Sequence, residues 1–159
     1  MGQHQGLRVR SINLAGLALL KRFEGFRDTP YHCPSGRLTI GYGHVIRDGE
    51  HFTPPISQAQ ALSLLARDLE SAAVVIEALV LAPLTDDQFA ALASFVYNIG
   101  GSNFARSTLL KRLNQLDYTS AANELLRWKF GTVNGVKTLL GGLAARRRAE
   151  RELFLSTEA

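Results

Sequence analysis

Glu24, Cys33 and Thr39 lie within one short stretch, residues 24–44, and their side chains are of the kinds that move protons and handle water. Ile12, Ala15, Leu19 and Phe23 recur at helical spacing, so Glu24 arrives on the last turn of an amphipathic helix. Thr39 sits in the β-prone run Leu38-Thr39-Ile40, and if its two neighbours face a core, Thr39 faces the opposite side. An acid at a helix end, with a thiol and a hydroxyl on a following hairpin, can converge on one cleft. Such a cleft has a proton donor on one side of a glycosidic bond and a water-handling group on the other. Each residue also has a plainer reading. Glu24 is equally a solvated helix-end acid paired with Arg27, Thr39 a β-branched strand residue, and Cys33 a small buried side chain.

The elements that must hold these residues follow from capping and punctuation. Residues 1–10 read as a loose tail, and Ser11 as the N-cap of a helix over 11–23. Residues 25–36, with Gly, Asp, Pro and Ser, read as an irregular loop. Two short strands are expected near 37–41 and 43–47, and a third at His51-Phe52. Ser57-x-x-Gln60 is a capping box opening a long helix over about 57–80, well placed to join a small β-containing lobe to a larger helical one. A second box, Thr85-x-x-Gln88, opens a helix to about Asn98 that is apolar nearly all round and so belongs at the centre of a core. Ser107 caps a helix to about Leu116, and Asp117 or Thr119 another to about Phe130. A Gly-rich loop over 131–141 precedes a last helix from Gly142 to about Leu155.

Composition bounds the rest. A chain of 159 residues with 46% hydrophobic and 20% charged residues suits one globular domain. The net charge of +4 favours an anionic partner without choosing among nucleic acid, membrane and wall polymer. A single cysteine excludes an internal disulfide, and no His/Cys cluster marks a zinc site. No run approaches the roughly 20 apolar residues a membrane span needs. Arg8 and Arg10 ahead of residues 12–20 imitate a signal peptide, but Lys21-Arg22-Phe23-Glu24 follows with no small-residue cleavage site, so a core-facing helix is the expectation.

Glu24-x8-Cys33-x5-Thr39, followed by Ile40-Gly41-Tyr42-Gly43-His44, resembles the signature of the phage-type lysozymes, the endolysin muramidases of tailed bacteriophages. Tyr31 and Gly36 fit the same spacing, and the later blocks agree: FVYNIG at 95–100, STLLKRLN at 107–114, Trp128 and the closing GGLAARRRAERELF. The resemblance runs from about Asn13 to Leu155. It implies an α+β, mainly α, two-lobed lysozyme-like fold. The N-terminal catalytic lobe, with its small β-hairpin, spans about 22–56 and the connecting helix about 57–80. The helical lobe takes about 83–155 together with helix 11–23, all in one domain.

The resemblance implies cleavage of the β-1,4 bond between N-acetylmuramic acid and N-acetylglucosamine. Glu24 is then the acid, and Cys33 and Thr39 handle the water. Cys33 stands where many members of that family carry Asp, and a thiolate supplies negative charge there as a neutral thiol does not; a nucleophilic Cys33 is the alternative, with a different stereochemical outcome. Tyr42, Tyr97, Asn98 and Phe104 are expected to line the cleft. One arginine of 146–148, taken as Arg147, is expected to reach back to Glu24, and His44 to pair with Asp68. No cofactor or metal is implied. The expected partner is the glycan strand of peptidoglycan, met by a monomer without nucleic acid or stable membrane insertion. The protein would be made in the host cytoplasm and act in the periplasm or wall, with a holin as a candidate partner for getting there. Two other activities fit the same residues: a lytic transglycosylase cutting the same bond, and a cysteine peptidase or amidase using Cys33. A non-catalytic wall-binding module is a third.

Overall fold

The computed structural model describes residues 10–33 and 36–156, so the expected tail, apart from Arg10, lies outside the described residues, as do Pro34 and Ser35 of the loop. Helix α1 (Leu14–Glu24) is capped by Asn13 rather than Ser11: the Asn13 side chain accepts from Gly16 N–H at 3.0 Å. The same side chain donates to Asp87 at 2.8 Å, an added tertiary bond that favours Asn13 as the cap. Gly25, at φ 69°, ends the helix directly after Glu24 and donates to the Lys21 carbonyl.

Strand β1 (Arg27–His32) forms where an irregular loop was expected. Asp28, Thr29 and Pro30 argue against a central strand, but β1 is the edge of a three-stranded antiparallel sheet, where a proline's missing N–H is tolerated. It pairs with β2 (Leu38–Gly41) through Tyr31 opposite Thr39 and His32 opposite Leu38, and β3 (His44–Val45) completes the sheet. The strand expected at His51-Phe52 is absent; Phe52 instead sets its ring edge-on to His44, centroids 6.0 Å apart.

Helix α2 (Gln58–Leu79) begins with the Ser57–Gln60 capping box and spans about 33 Å at ~1.5 Å per residue. Its first half gives Leu64, Leu65 and Leu69 to a core shared with Leu20, Ile40, Tyr42 and Ile56. Its second half gives Ala72, Ala73 and Ile76 to a larger helical core. The centre of that core is α3 (Asp86–Ile99), opened by the Thr85–Gln88 box and buried without a break from Phe89 to Val96.

Around α3 lie α4 (Gly101–Ala105), α5 (Thr108–Asn114) and α6 (Tyr118–Leu125). Helix α4 fills the stretch between the helix expected to end near Asn98 and the one expected to start at Ser107, and α6 stops before the expected Phe130. A second antiparallel pair, β4 (Phe130–Val133) and β5 (Val136–Leu139), occupies the stretch read as loop. Helix α7 (Gly141–Phe154) then packs back across α3. Among the described residues the fold is α+β and mainly helical, with two small antiparallel sheets. Among the described residues no helix is long and apolar enough to cross a membrane.

Candidate active site

Glu24 stands at the end of α1 with its side chain mostly covered, held from two sides. Its Oε1 accepts a hydrogen bond from Arg146 Nη1 at 2.6 Å. Its Oε2 lies against Gly43: a Cβ there would stand 2.8 Å from Oε2 and 3.3 Å from the Tyr97 hydroxyl. Gly43 also has φ +80°, so glycine is demanded both by backbone and by space. Beyond this contact opens a cleft of about 320 Å³, walled by Glu24, Gly43, His44 and Val45 on one side and by Asp68, Ser71, Tyr97 and Asn98 on the other. A larger cavity of about 480 Å³, among Ile12, Leu17, Leu62 and Phe89, is mainly apolar; it also meets Arg10 and Glu70, but Arg10 is held by Asp86 at 2.8 Å.

Tyr97 ties α3 to the sheet, its hydroxyl donating to the Tyr42 carbonyl at 2.8 Å. Burial, and then the Glu24 charge, push the phenol far above its ordinary range, so it remains a neutral donor. His44 is buried with both ring nitrogens facing carboxylates, Nδ1 at 2.8 Å from Asp68 and Nε2 at 3.1 Å from Glu50. The expected His44–Asp68 pair is therefore present, with Glu50 as a partner the sequence reading omitted. The Arg47 N–H and then the His44 ring hold the Glu50 carboxyl below the usual range.

The arginine that reaches Glu24 is Arg146, not Arg147. Successive helical residues point about 100° apart, and the turn that aims Arg146 at Glu24 sends Arg147 into the core. There Arg147 donates to Glu150, to the Asn98 side chain and to the Trp128 carbonyl, and lies 4.9 Å over the Phe95 ring. Burial draws its guanidinium below the ordinary value, and Glu150 opposes that. Arg146 is itself fixed by the Ser94 carbonyl at 3.0 Å and by Glu150 at 3.4 Å, while the Ser94 hydroxyl donates to Glu150 at 2.6 Å. Glu150 is fully buried and serves both arginines. The sequence reading missed it, although its place three and four residues after the pair was a visible signal.

Two further expectations are corrected. Phe104 is 0% exposed and packs edge-on to Phe95 inside the helical core, so it cannot line a cleft. Tyr42 is 4% exposed, its ring against Phe26, and it offers the site a backbone carbonyl instead of a side chain. Asn98 does border the cleft, but its side-chain oxygen already accepts from Arg147.

Thr39 and Cys33 are not among the residues that line this cavity. Thr39 is buried, and its hydroxyl donates to the Arg37 carbonyl at 3.0 Å, leaving lone pairs that can accept from water. Leu38 is exposed while Ile40 is buried, so the condition that both neighbours face a core fails at Leu38. Thr39 shares a face of the sheet with its cross-strand partner Tyr31. Burial raises the Tyr31 phenol's pKa, and the Glu24 charge and Cys33 add to that, so this ring lies within electrostatic reach of both. Cys33 follows β1 in a turn closed by its N–H to the Arg37 carbonyl at 2.9 Å.

A carboxylic acid at a helix end, fixed by a cation and facing a cleft between a sheet and a helical core, defines a glycoside hydrolase of lysozyme architecture. The phage lysozyme family model matches residues 21–150. The endolysin of Acyrthosiphon pisum secondary endosymbiont phage 1 is 42% identical over 145 residues, covering 91% of this chain and 98% of that one. The endolysin of Salmonella phage P22 is 40% identical over 152 residues, covering 93% and 100%. The solved muramidase domain of SpmX from Asticaccaulis excentricus superposes with a TM-score of 0.85 at 37% identity, over 93% of this chain and 99% of that one. The chain belongs to the phage lysozyme family.

Proposed function

We propose that this peptidoglycan-hydrolysing endolysin cleaves the β-1,4 bond between N-acetylmuramic acid and N-acetylglucosamine, with Glu24 giving its proton to the leaving oxygen. The observation that carries the reading is the clamp on Glu24: Arg146 holds Oε1 while the bare Gly43 backbone leaves Oε2 facing the cleft. Fixing the donor in this way lowers the entropic cost of reaching the transition state. Thr39 accepts from the attacking water, and Cys33 supplies negative charge beside the developing cation. Attack by that water on the far side of the sugar inverts the anomeric centre, whereas attack by the Cys33 thiolate, followed by water hydrolysing the resulting glycosyl-enzyme and freeing the thiolate, gives net retention.

The glycan strand is the partner, taken by a monomer with neither cofactor nor nucleic acid. The protein is made in the host cytoplasm and reaches the periplasm with the help of a holin. Against a cysteine peptidase, Cys33 lies in a turn after a strand instead of opening a helix, where thiols are most readily activated. Digestion of purified peptidoglycan tests the reading. Hydrolysis releases new reducing ends at muramic acid. Anhydromuramic products instead would mean a transglycosylase, and new free amines a peptidase or amidase.

A further inference from the structure

The β4–β5 hairpin takes no part in the site described above. Its Asn134-Gly135 turn has both residues at positive φ, 50° and 77°, as a two-residue hairpin turn matched to strand twist requires. Cross-strand pairing puts Phe130, Thr132, Lys137 and Leu139 on one face, and Val133 with Val136 on the other. Phe130 is 43% and Leu139 58% exposed on the first face; Val133 is 44% and Val136 64% exposed on the second. Only the base of the second face is packed, where a Cβ on Gly131 would meet Leu140 at 2.5 Å.

A flat partner covers one face of a ribbon. Apolar side chains are exposed on both faces, Val133 and Val136 beside the turn and Phe130 and Leu139 at the base of the strands, which fits a medium that surrounds the ribbon, and a lipid interface is such a medium. The charge agrees. Between Glu124 and Glu150 the chain carries Arg127, Lys129, Lys137 and Arg146 to Arg148, and no acid. Arg146 and Arg147 are neutralised inside the protein and Arg127 pairs with Glu124 at 3.5 Å, whereas Lys137 and Arg148 are exposed. The ammonium groups of Lys137 and Lys129 lie 4.8 Å and 5.8 Å from the Phe130 ring centroid. Lysines flanking an aromatic ring can lay their stems along apolar surface and raise their heads to phosphates.

We propose that the β4–β5 hairpin is a docking surface for an anionic lipid bilayer. It enters the headgroup region tip first, with Val133 and Val136 leading and Lys129 and Lys137 against lipid phosphates. The contact is peripheral and independent of the hydrolytic cleft.

Co-sedimentation of the full chain with vesicles tests this. The wild type binds vesicles of phosphatidylglycerol mixed with phosphatidylethanolamine, releases them at high salt, and ignores phosphatidylcholine vesicles. Val133→Ser with Val136→Ser, both exposed positions, removes most of the binding. Lys129→Gln with Lys137→Gln weakens it about 25-fold, from about fivefold for each lysine near an anionic surface. Both double variants digest lipid-free peptidoglycan at the wild-type rate. The proposal is overturned if the wild type does not bind anionic vesicles, or if both variants bind as the wild type does. Loss of activity on lipid-free peptidoglycan by correctly folded variants also overturns it, and assigns the hairpin to the glycan.

Discussion

Replacing Glu150 with glutamine keeps the shape of the side chain and removes the one charge that Arg146 and Arg147 share in the helical core. The carboxylate accepts from Ser94 at 2.6 Å, from Arg146 Nε at 3.4 Å and from Arg147 Nη1. Arg147 is 1% exposed, so without Glu150 its desolvation is offset chiefly by neutral acceptors, the Trp128 carbonyl and the Asn98 side chain. Removing one partner of a buried pair costs about 3–5 kcal/mol. Glutamine retains one acceptor oxygen, which places the expected loss near ~3 kcal/mol. For a chain of this length each kcal/mol moves Tm by about 2–4 °C, so the fall is ~6–12 °C. Thermal unfolding at neutral pH, followed by circular dichroism, reads it. Arg146 keeps Glu24 as a partner, so activity well below the lowered transition falls less than it does for a change at Glu24 itself. A Tm within about 2 °C of wild type, under one kcal/mol on the same scale, would refute the assignment of Glu150 as the hub of this network.

Three further outcomes are expected. Gly43→Ala places a Cβ 2.8 Å from the acid at φ +80°; it should cost about 1–2 kcal/mol of stability and lower kcat more than it raises KM, which kinetics on soluble glycan fragments would show. Hydrogen bonds from Ser156 and then Asn13 hold the Asp87 carboxyl below its usual range, so its contribution is present above the unfolded pKa and lost as pH falls through the folded one. Asp87→Asn should therefore destabilise the fold near neutral pH and converge on wild type in strong acid, and urea titrations showing a gap that does not change with pH would point to packing instead. Cys33→Asp should retain much of the activity and Cys33→Ser lose most of it if the side chain works by charge; near wild-type lysis by Cys33→Ala and Cys33→Ser would remove the thiol from the mechanism.

The parts of the fold legible in the sequence are those fixed by local chemistry. The boxes at Ser57–Gln60 and Thr85–Gln88 set the starts of α2 and α3 because side chain and backbone meet within one turn. Glu24 was placed at its helix end by periodicity alone. Other features depended on distant partners. Strand β1 needed to be an edge before Pro30 could belong to it. Arg146 and Arg147 are neighbours of one type, and only the packing of α7 on α3 decides which faces Glu24. Phe104 and Tyr42 are aromatic in either a cleft or a core, so their types did not separate the two. The β4–β5 hairpin is a different case: Val133-Asn134-Gly135-Val136 carries a strong turn signal, outweighed in the sequence reading by the surrounding glycines.

The central claim is that Glu24 is the proton donor, and the isosteric change Glu24→Gln tests it most directly. The rate of reducing-end release from purified peptidoglycan is measured for both proteins, with circular dichroism to establish that the fold is kept. General acid catalysis contributes typically ~10²–10⁴-fold, and a loss of at least that lower bound is expected. A folded variant that keeps more than roughly a tenth of the wild-type rate would contradict the account.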